Sequence, residues 1–218
     1  MKFTFNLNKK EFNMNKAKML SLAAGIVLAM VFTLSCSSDD GDGGGGGSVT
    51  YEGQKYKTVK IGEQVWFAEN LNYAGDDNSS IGTCYKNDPA NCTEYGRLYT
   101  WSEANAICPN GWHLPSREEW EVMTAYIGGA DTEGKKLKAK SGWRGSGNGT
   151  DEYGFSALPG GHLIREGYDY IGGSGYWWSA SESNSNNAYY RRMHYDHDYA
   201  NWYSDLKSER ASVRCLQD

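Results

Sequence analysis

Hydrophobic and polar positions fall into three regimes along this 218-residue chain. Met19 to Ser35 is an uncharged, mostly apolar run, and Cys36 to Ser48 holds no large hydrophobic residue. From Val49 onward apolar residues return in short alternating or helix-spaced groups. Within that third regime, Tyr51 to Gly62 alternates around Gly53 and predicts a hairpin, and Gln64 to Ala68 predicts a further strand. Thr100 to Cys108 predicts a helix, ended by Pro109-Asn110-Gly111. A second helix carries more signals. Ser116 and Glu119 have capping-box spacing, Trp120, Met123 and Ile127 recur on one face, and Gly128-Gly129 stops the run. The remainder, up to Cys215, alternates glycine turns with short aromatic strands. The expected fold is α+β, with two short helices packed on small antiparallel sheets.

The first regime reads as an export signal. Lys9, Lys10, Lys16 and Lys18 precede the apolar run, and small residues lead into Cys36. The run of about 17 residues sits at the lower limit for spanning a bilayer, so a plain transmembrane anchor is the competing reading. Thr33-Leu34-Ser35-Cys36 has the form of a bacterial lipobox, which makes residues 1–35 the expected signal peptide and Cys36 the lipidated residue. Met14-Asn15-Lys16-Ala17-Lys18 is by itself a well-formed signal start, so translation is expected from Met14. Residues 36–48 then form a tether whose glycine run cannot pack, and 49–218 form one domain of ordinary size. The acidic group Asp39, Asp40 and Asp42 behind Cys36 resembles the address of lipoproteins that Bacteroidetes-like bacteria export to the cell surface. It reads equally as a solvated linker. The expected location is the outer membrane, lipid-anchored and facing outward.

Composition sharpens this picture. Loss of the signal removes five lysines (Lys2, Lys9, Lys10, Lys16, Lys18) and Glu11 from totals of 22 basic and 27 acidic residues, leaving net −9. No basic run survives, which excludes a nucleic-acid footprint. The negative charge also disfavours membrane contact except through the lipid on Cys36. Abundant Gly, Tyr and Trp favour short strands and an aromatic core. Trp66, Trp101, Trp112, Trp120 and Trp143 are expected in the core or half-buried, and Trp177-Trp178 divided between core and surface.

After Cys36, four cysteines remain: Cys84, Cys92, Cys108 and Cys215. In an exported chain they read as a disulfide framework with three possible connectivities. Cys84 and Cys92 bracket a turn-rich loop that a local bridge would pin. Cys108 and Cys215 would then close a long loop, worth about 4–5 kcal/mol in the chain-entropy model. The spacing does not suit zinc.

Five blocks carry a resemblance: Tyr95-Gly96-Arg97-Leu98-Tyr99-Thr100-Trp101, Cys108 to Pro115, Tyr153 to Gly161, Tyr176-Trp177-Trp178-Ser179 and Ser212-Val213-Arg214-Cys215. Together they resemble the Fibrobacter succinogenes major paralogous domain family over nearly all of Val49 to Asp218. That family is similar to the C-type-lectin-like fold shared with formylglycine-generating enzymes. The resemblance implies a bridge from a cysteine on the first helix to one in the final strand, the positions of Cys108 and Cys215.

Neither activity of that wider fold is expected here. The calcium-binding triplets of true C-type lectins do not occur, although Asp196, Asp198 and Asp205 offer hard oxygen ligands. Thiol chemistry is ruled out if all four domain cysteines are bridged, and no nucleophile–base pair is evident, so no enzyme and no cofactor is expected. His113 is expected packed and hydrogen-bonded, and His162 exposed in a glycine turn. His194 and Asp196 would share one side of a strand and His197 the other, so no metal is assigned.

Asn184 to Leu206 is the most telling stretch. It lacks Lys, Glu, Gln and Pro, and Tyr, Asn, Ser, Asp and His dominate, the composition of antibody-like contact surfaces. As a strand it would set Tyr190, Arg192, His194 and Asp196 against Tyr189, Arg191, Met193 and Tyr195. Adenine-directed changes in the first two letters of an AAC codon never yield Lys, Glu, Gln, Met or Trp; only Met193 and Trp202 fall outside the permitted set. The stretch thereby resembles the variable region of diversity-generating retroelement proteins. The expected contact positions are Tyr190, Arg192, His194, Asp196, His197, Tyr199, Tyr203 and Asp205, and the expected partner is a surface protein or a glycan. A structural envelope or pilus-tip component, or an enzyme of the formylglycine-generating type, are the rival classes.

Overall fold

In a computed structural model, residues 46–76, 80–165 and 167–218 are described. The signal, Cys36, most of the tether and Asp77-Asn78 lie outside them. The described residues fall in one compact unit. No helix among them is long and apolar enough to cross a membrane.

The hairpin forms as the alternation predicts: β1 (Ser48–Tyr51) pairs antiparallel with β2 (Gln54–Ile61), turning at Glu52-Gly53. β1 begins inside the segment read as tether, because the Gly47 carbonyl already accepts from the Thr58 amide and the Gly47 amide donates to the Thr58 hydroxyl. β3 (Gln64–Phe67) follows on β2. Next come a 3-10 turn (Tyr85–Asn87), α1 (Pro89–Tyr95), α2 (Trp101–Ala104) and β4 (Trp112–His113). The helical pair α3 (Arg117–Tyr126) and α4 (Ala130–Leu137) leads to the short hairpin β5 (His162–Ile164) and β6 (Gly167–Asp169). β7 (Ser174–Glu182), β8 (Asn187–His194) and β9 (Ala200–Leu206) form a meander, and β10 (Leu216–Gln217) returns between β3 and β4. The described residues thus form three small antiparallel sheets, ordered β1-β2-β3-β10-β4, β5-β6 and β7-β8-β9, with short helices between them.

Four short helices stand where two were expected. α1 lies in the segment read as a loop: Asp88 accepts from the Ala90 amide as N-cap, and Pro89 occupies the first turn, where its missing N–H costs nothing. α4 carries Asp131 and Glu133 in its first turn and Lys135 and Lys136 in its last, the polarity a helix dipole favours. α2 is shorter than the predicted 100–108 segment. The Asn105 side chain donates to the Trp101 carbonyl and the Ala106 amide tightens onto Glu103, so the helix closes before Cys108. α3 runs as predicted, with both halves of the Ser116–Glu119 capping box formed and Trp120, Met123 and Ile127 buried.

Both disulfides form, Cys84–Cys92 and Cys108–Cys215, with Cα separations of 4.9 and 5.9 Å, but Cys108 lies past the end of α2 and Cys215 directly before β10, not on a helix and in a strand as expected. Trp177 and Trp178 do not divide between core and surface. Alternation sends them to opposite faces of β7, and both faces are covered. Trp177 packs with Trp66, Trp120 and Phe155, and Trp178 with Tyr99, Tyr176 and Tyr190. The buried Arg214 guanidinium donates to Asn70 Oδ1 and to the Phe67, Phe155 and Ser156 carbonyls, tying the segment before β10 to the end of β3 and to the Phe155-Ser156 loop. A buried cation needs that satisfaction.

Candidate functional site

The period of β8 decides what its two faces can do. Odd positions point inward. Met193 is fully buried, and Arg191, 3 % exposed, forms a bidentate ion pair with Glu133 of α4, itself 0 % exposed. Arg191 also lies 5.0 Å from the Trp202 ring centroid, and Arg117 of α3 stacks over Tyr189 and Trp202. α3 and α4 therefore cover this face.

The even face is left for other uses. Tyr190 pairs across β9 with Tyr203, Arg192 with Asn201 and Ala188 with Asp205, while β7 supplies Ser174, Tyr176 and Trp178 opposite His194, Arg192 and Tyr190. Its inner end is core: Tyr190 is only 9 % exposed, and burial pushes its phenol up, beyond the range where it ionises in neutral buffer. Toward the outer end the face opens to solvent, with Tyr199 and Tyr203 exposed. Arg192 sits at the centre, its guanidinium 5.6–5.7 Å from the ring centroids of Tyr170, Tyr176 and Tyr203. Its hydrogen bonds go to the Ser174 hydroxyl, at 3.3–3.4 Å.

The β8–β9 turn supplies the rest. β8 ends at His194, so the chain reverses through Tyr195 to Tyr199, and strand alternation no longer applies. That corrects the expectation that His197 faces away from His194. Asp196 Oδ1 is hydrogen-bonded to His194 Nδ1 and lies 3.3 Å from His197 Nδ1. The hydrogen bond from His194 holds the Asp196 carboxyl below the usual carboxylate range. The His197 ring stacks on Tyr199 at 4.5 Å. A small depression of about 30 Å³ is lined by Arg192, His194, His197, Tyr199, Asn201 and Tyr203.

Six of the eight expected contact residues thus meet at the turn end of the open face, and Tyr190 underlies it as a core residue. Asp205 lies toward the far end, opposite Ala188, six residues along β8 from His194 and roughly 20 Å away at the strand rise of about 3.3 Å. Asp196, Asp198 and Asp205 accordingly form no common cation cluster. Sequence reasoning missed Asn201, although it alternates with Tyr203 and Asp205. It also missed Tyr170, Tyr176 and His162, which arrive from other elements. His162 is not exposed: it stacks on Tyr176 at 3.9 Å and 4°, with a buried Nε2 that has no hydrogen-bond partner. Burial pushes its imidazole down to about 4. His113 is hydrogen-bonded as expected, to Asp218 and Glu119 at 2.7 and 2.9 Å.

A family model, the Fibrobacter succinogenes major domain, matches residues 59–217, and the chain belongs to that family. No curated protein and no solved structure matches the chain.

Proposed function

We propose that this chain is a surface-displayed recognition module, held by a lipid on Cys36 and binding a protein or glycan non-covalently through the open face of β8 and β9. Its fold is of the C-type-lectin-like kind. Two features support that assignment: the long Cys108–Cys215 bridge that the resemblance implied, and the small antiparallel sheets with helices between them. The observation that carries the functional reading is the convergence around Arg192 of three tyrosine rings with the turn residues His194 to Tyr199. Tyrosine gives wide contact area at low entropy cost, and the small polar neighbours adapt. Cys84, Cys92, Cys108 and Cys215 are all bridged, which leaves no thiol among the described residues for formylglycine-type chemistry.

Retroelement diversification has a specific observation in its favour. Met193 and Trp202, the two residues that adenine-directed change of AAC cannot reach, both lie on the covered face. Met193 is in the core and Trp202 packs against it. Reachable residues lie on both faces: Arg192, His194, Asp196, His197, Tyr199 and Tyr203 on the open face and turn, Tyr189 and Arg191 on the covered one.

The test is a binding screen of the full chain against arrayed glycans and bacterial surface proteins. Saturable binding is expected, weakened about tenfold or more by Arg192→Ala and by Tyr203→Ser without a fall in melting temperature, as contact residues of a recognition surface behave. A ligand whose affinity ignores both substitutions would sink the assignment of this face. Diversification is read separately. Deep sequencing across cells of one strain should show substitutions at adenines confined to the codons for 184–206, and a uniform region would refute it.

A further inference from the structure

We infer that the β8–β9 turn is a binding site for a divalent first-row transition ion, held by His194, Asp196 and His197. One ligand atom from each of the three side chains lies within 4.8 Å of the other two. Two imidazoles and one carboxylate suit zinc, copper(II) or nickel, where an all-oxygen set would suit calcium. Bonds of about 2.0–2.1 Å place donor atoms of a tetrahedral site roughly 3.3 Å apart. The side chains therefore need to contract by about 1.5 Å at most, by rotation about their own bonds.

The backbone beneath is already fixed for this. The Lys138 ammonium donates to the His194 and His197 carbonyls at 3.0 and 2.8 Å. The Lys135 amide donates to the Asp198 carbonyl, and the Tyr195 amide to the Gly173 carbonyl. Gly134 lets α4 approach closely: a Cβ there would stand 2.7 Å from the Tyr199 carbonyl oxygen. Both histidines are thus anchored through their own carbonyl groups, and only side-chain freedom is lost on coordination. A site held on so rigid a frame binds more tightly than one on a free loop. Lys138 places a positive charge nearby, and Asp196 and Asp198 are the anions that offset it.

Three protein ligands leave a coordination position open. His194 and His197 also line the depression beside Arg192, Tyr199 and Tyr203, so that position adjoins the proposed contact face. A partner's carboxylate or imidazole would complete the shell there, which rests on the recognition reading. Metal binding itself does not.

The test is calorimetric titration of zinc(II) into the full chain purified in detergent, beside the His194→Ala and His197→Ala variants. Cobalt(II) spectra are recorded in parallel. One zinc per chain is expected, with affinity falling at least about tenfold in each variant while the melting temperature of the metal-free protein stays unchanged. Cobalt should show ligand-field bands of a low-coordinate nitrogen and oxygen set. Unaltered affinity in both variants, no binding below about millimolar zinc, or a thiolate charge-transfer band would each overturn the site. Absence of any ligand binding by the unaltered chain, with zinc binding intact, would instead refute the recognition face alone.

Discussion

Replacing Glu133 by Gln removes the one carboxylate that pairs, among the described residues, with the buried Arg191 guanidinium, without changing side-chain size. Arg191 is 3 % exposed and Glu133 0 %, so neither water nor a rotamer change can compensate at once. Glu133 also accepts from Thr124 Oγ1 at 2.8 Å, which ties α3 to the same pair. Breaking one partner of a buried pair costs about 3–5 kcal/mol, because a desolvated charge is left behind. For a domain of this size each kcal/mol is worth about 2–4 °C, so the melting temperature should fall by roughly 6–20 °C. Replacing both groups by apolar residues of similar volume, Glu133→Leu with Arg191→Met, should restore most of the loss, since the isolated charge disappears with its partner. The assay is thermal unfolding followed by circular dichroism under oxidising conditions. A single-variant loss below about 2 °C, or a double variant no better than the single, would refute the claim that this pair is desolvated and that it fixes which face of β8 is covered.

Two further outcomes follow from the same geometry. Removing the Cys108–Cys215 bridge by paired Ala substitution should cost about 4–5 kcal/mol in the chain-entropy model, given a sequence separation of 107. A loss under 1 kcal/mol in denaturant titration would show that the reduced chain is already constrained. His162, pushed down by burial from 6.5 to about 4, binds fewer protons folded than unfolded between those values. Stability should therefore fall as pH drops from about 6.5 to 4, His162→Phe should flatten that slope, and an imidazole NMR titration with a midpoint near 6.5 would contradict the burial.

The parts of the fold that sequence could show were those with local causes. α3 was legible because its cap, apolar face and glycine stop all lie within a dozen residues of one another. α1 and α4 carried signals too, Asp88-Pro89 and the acid-to-base polarity of 130–137, but a cysteine-bracketed loop and an internal Gly134 masked them. Which residues share the open face was legible from alternation along β8 and β9. What failed was set by distant neighbours. The fate of Trp178 depends on Tyr99, and that of His162 on Tyr176. The side taken by His197 depends on where β8 stops. Period-two reasoning cannot see a strand end that the Lys138 clamp and the Gly173 pairing impose.

That clamp separates shape from spelling. Lys138, Lys135 and Gly173 hold residues 194–198 through main-chain atoms alone, which every amino acid except proline supplies in full. A new side chain at 194, 196, 197 or 199 would inherit the same loop path without renegotiating it. The scaffold can therefore take many spellings at this turn while its grammar stays put.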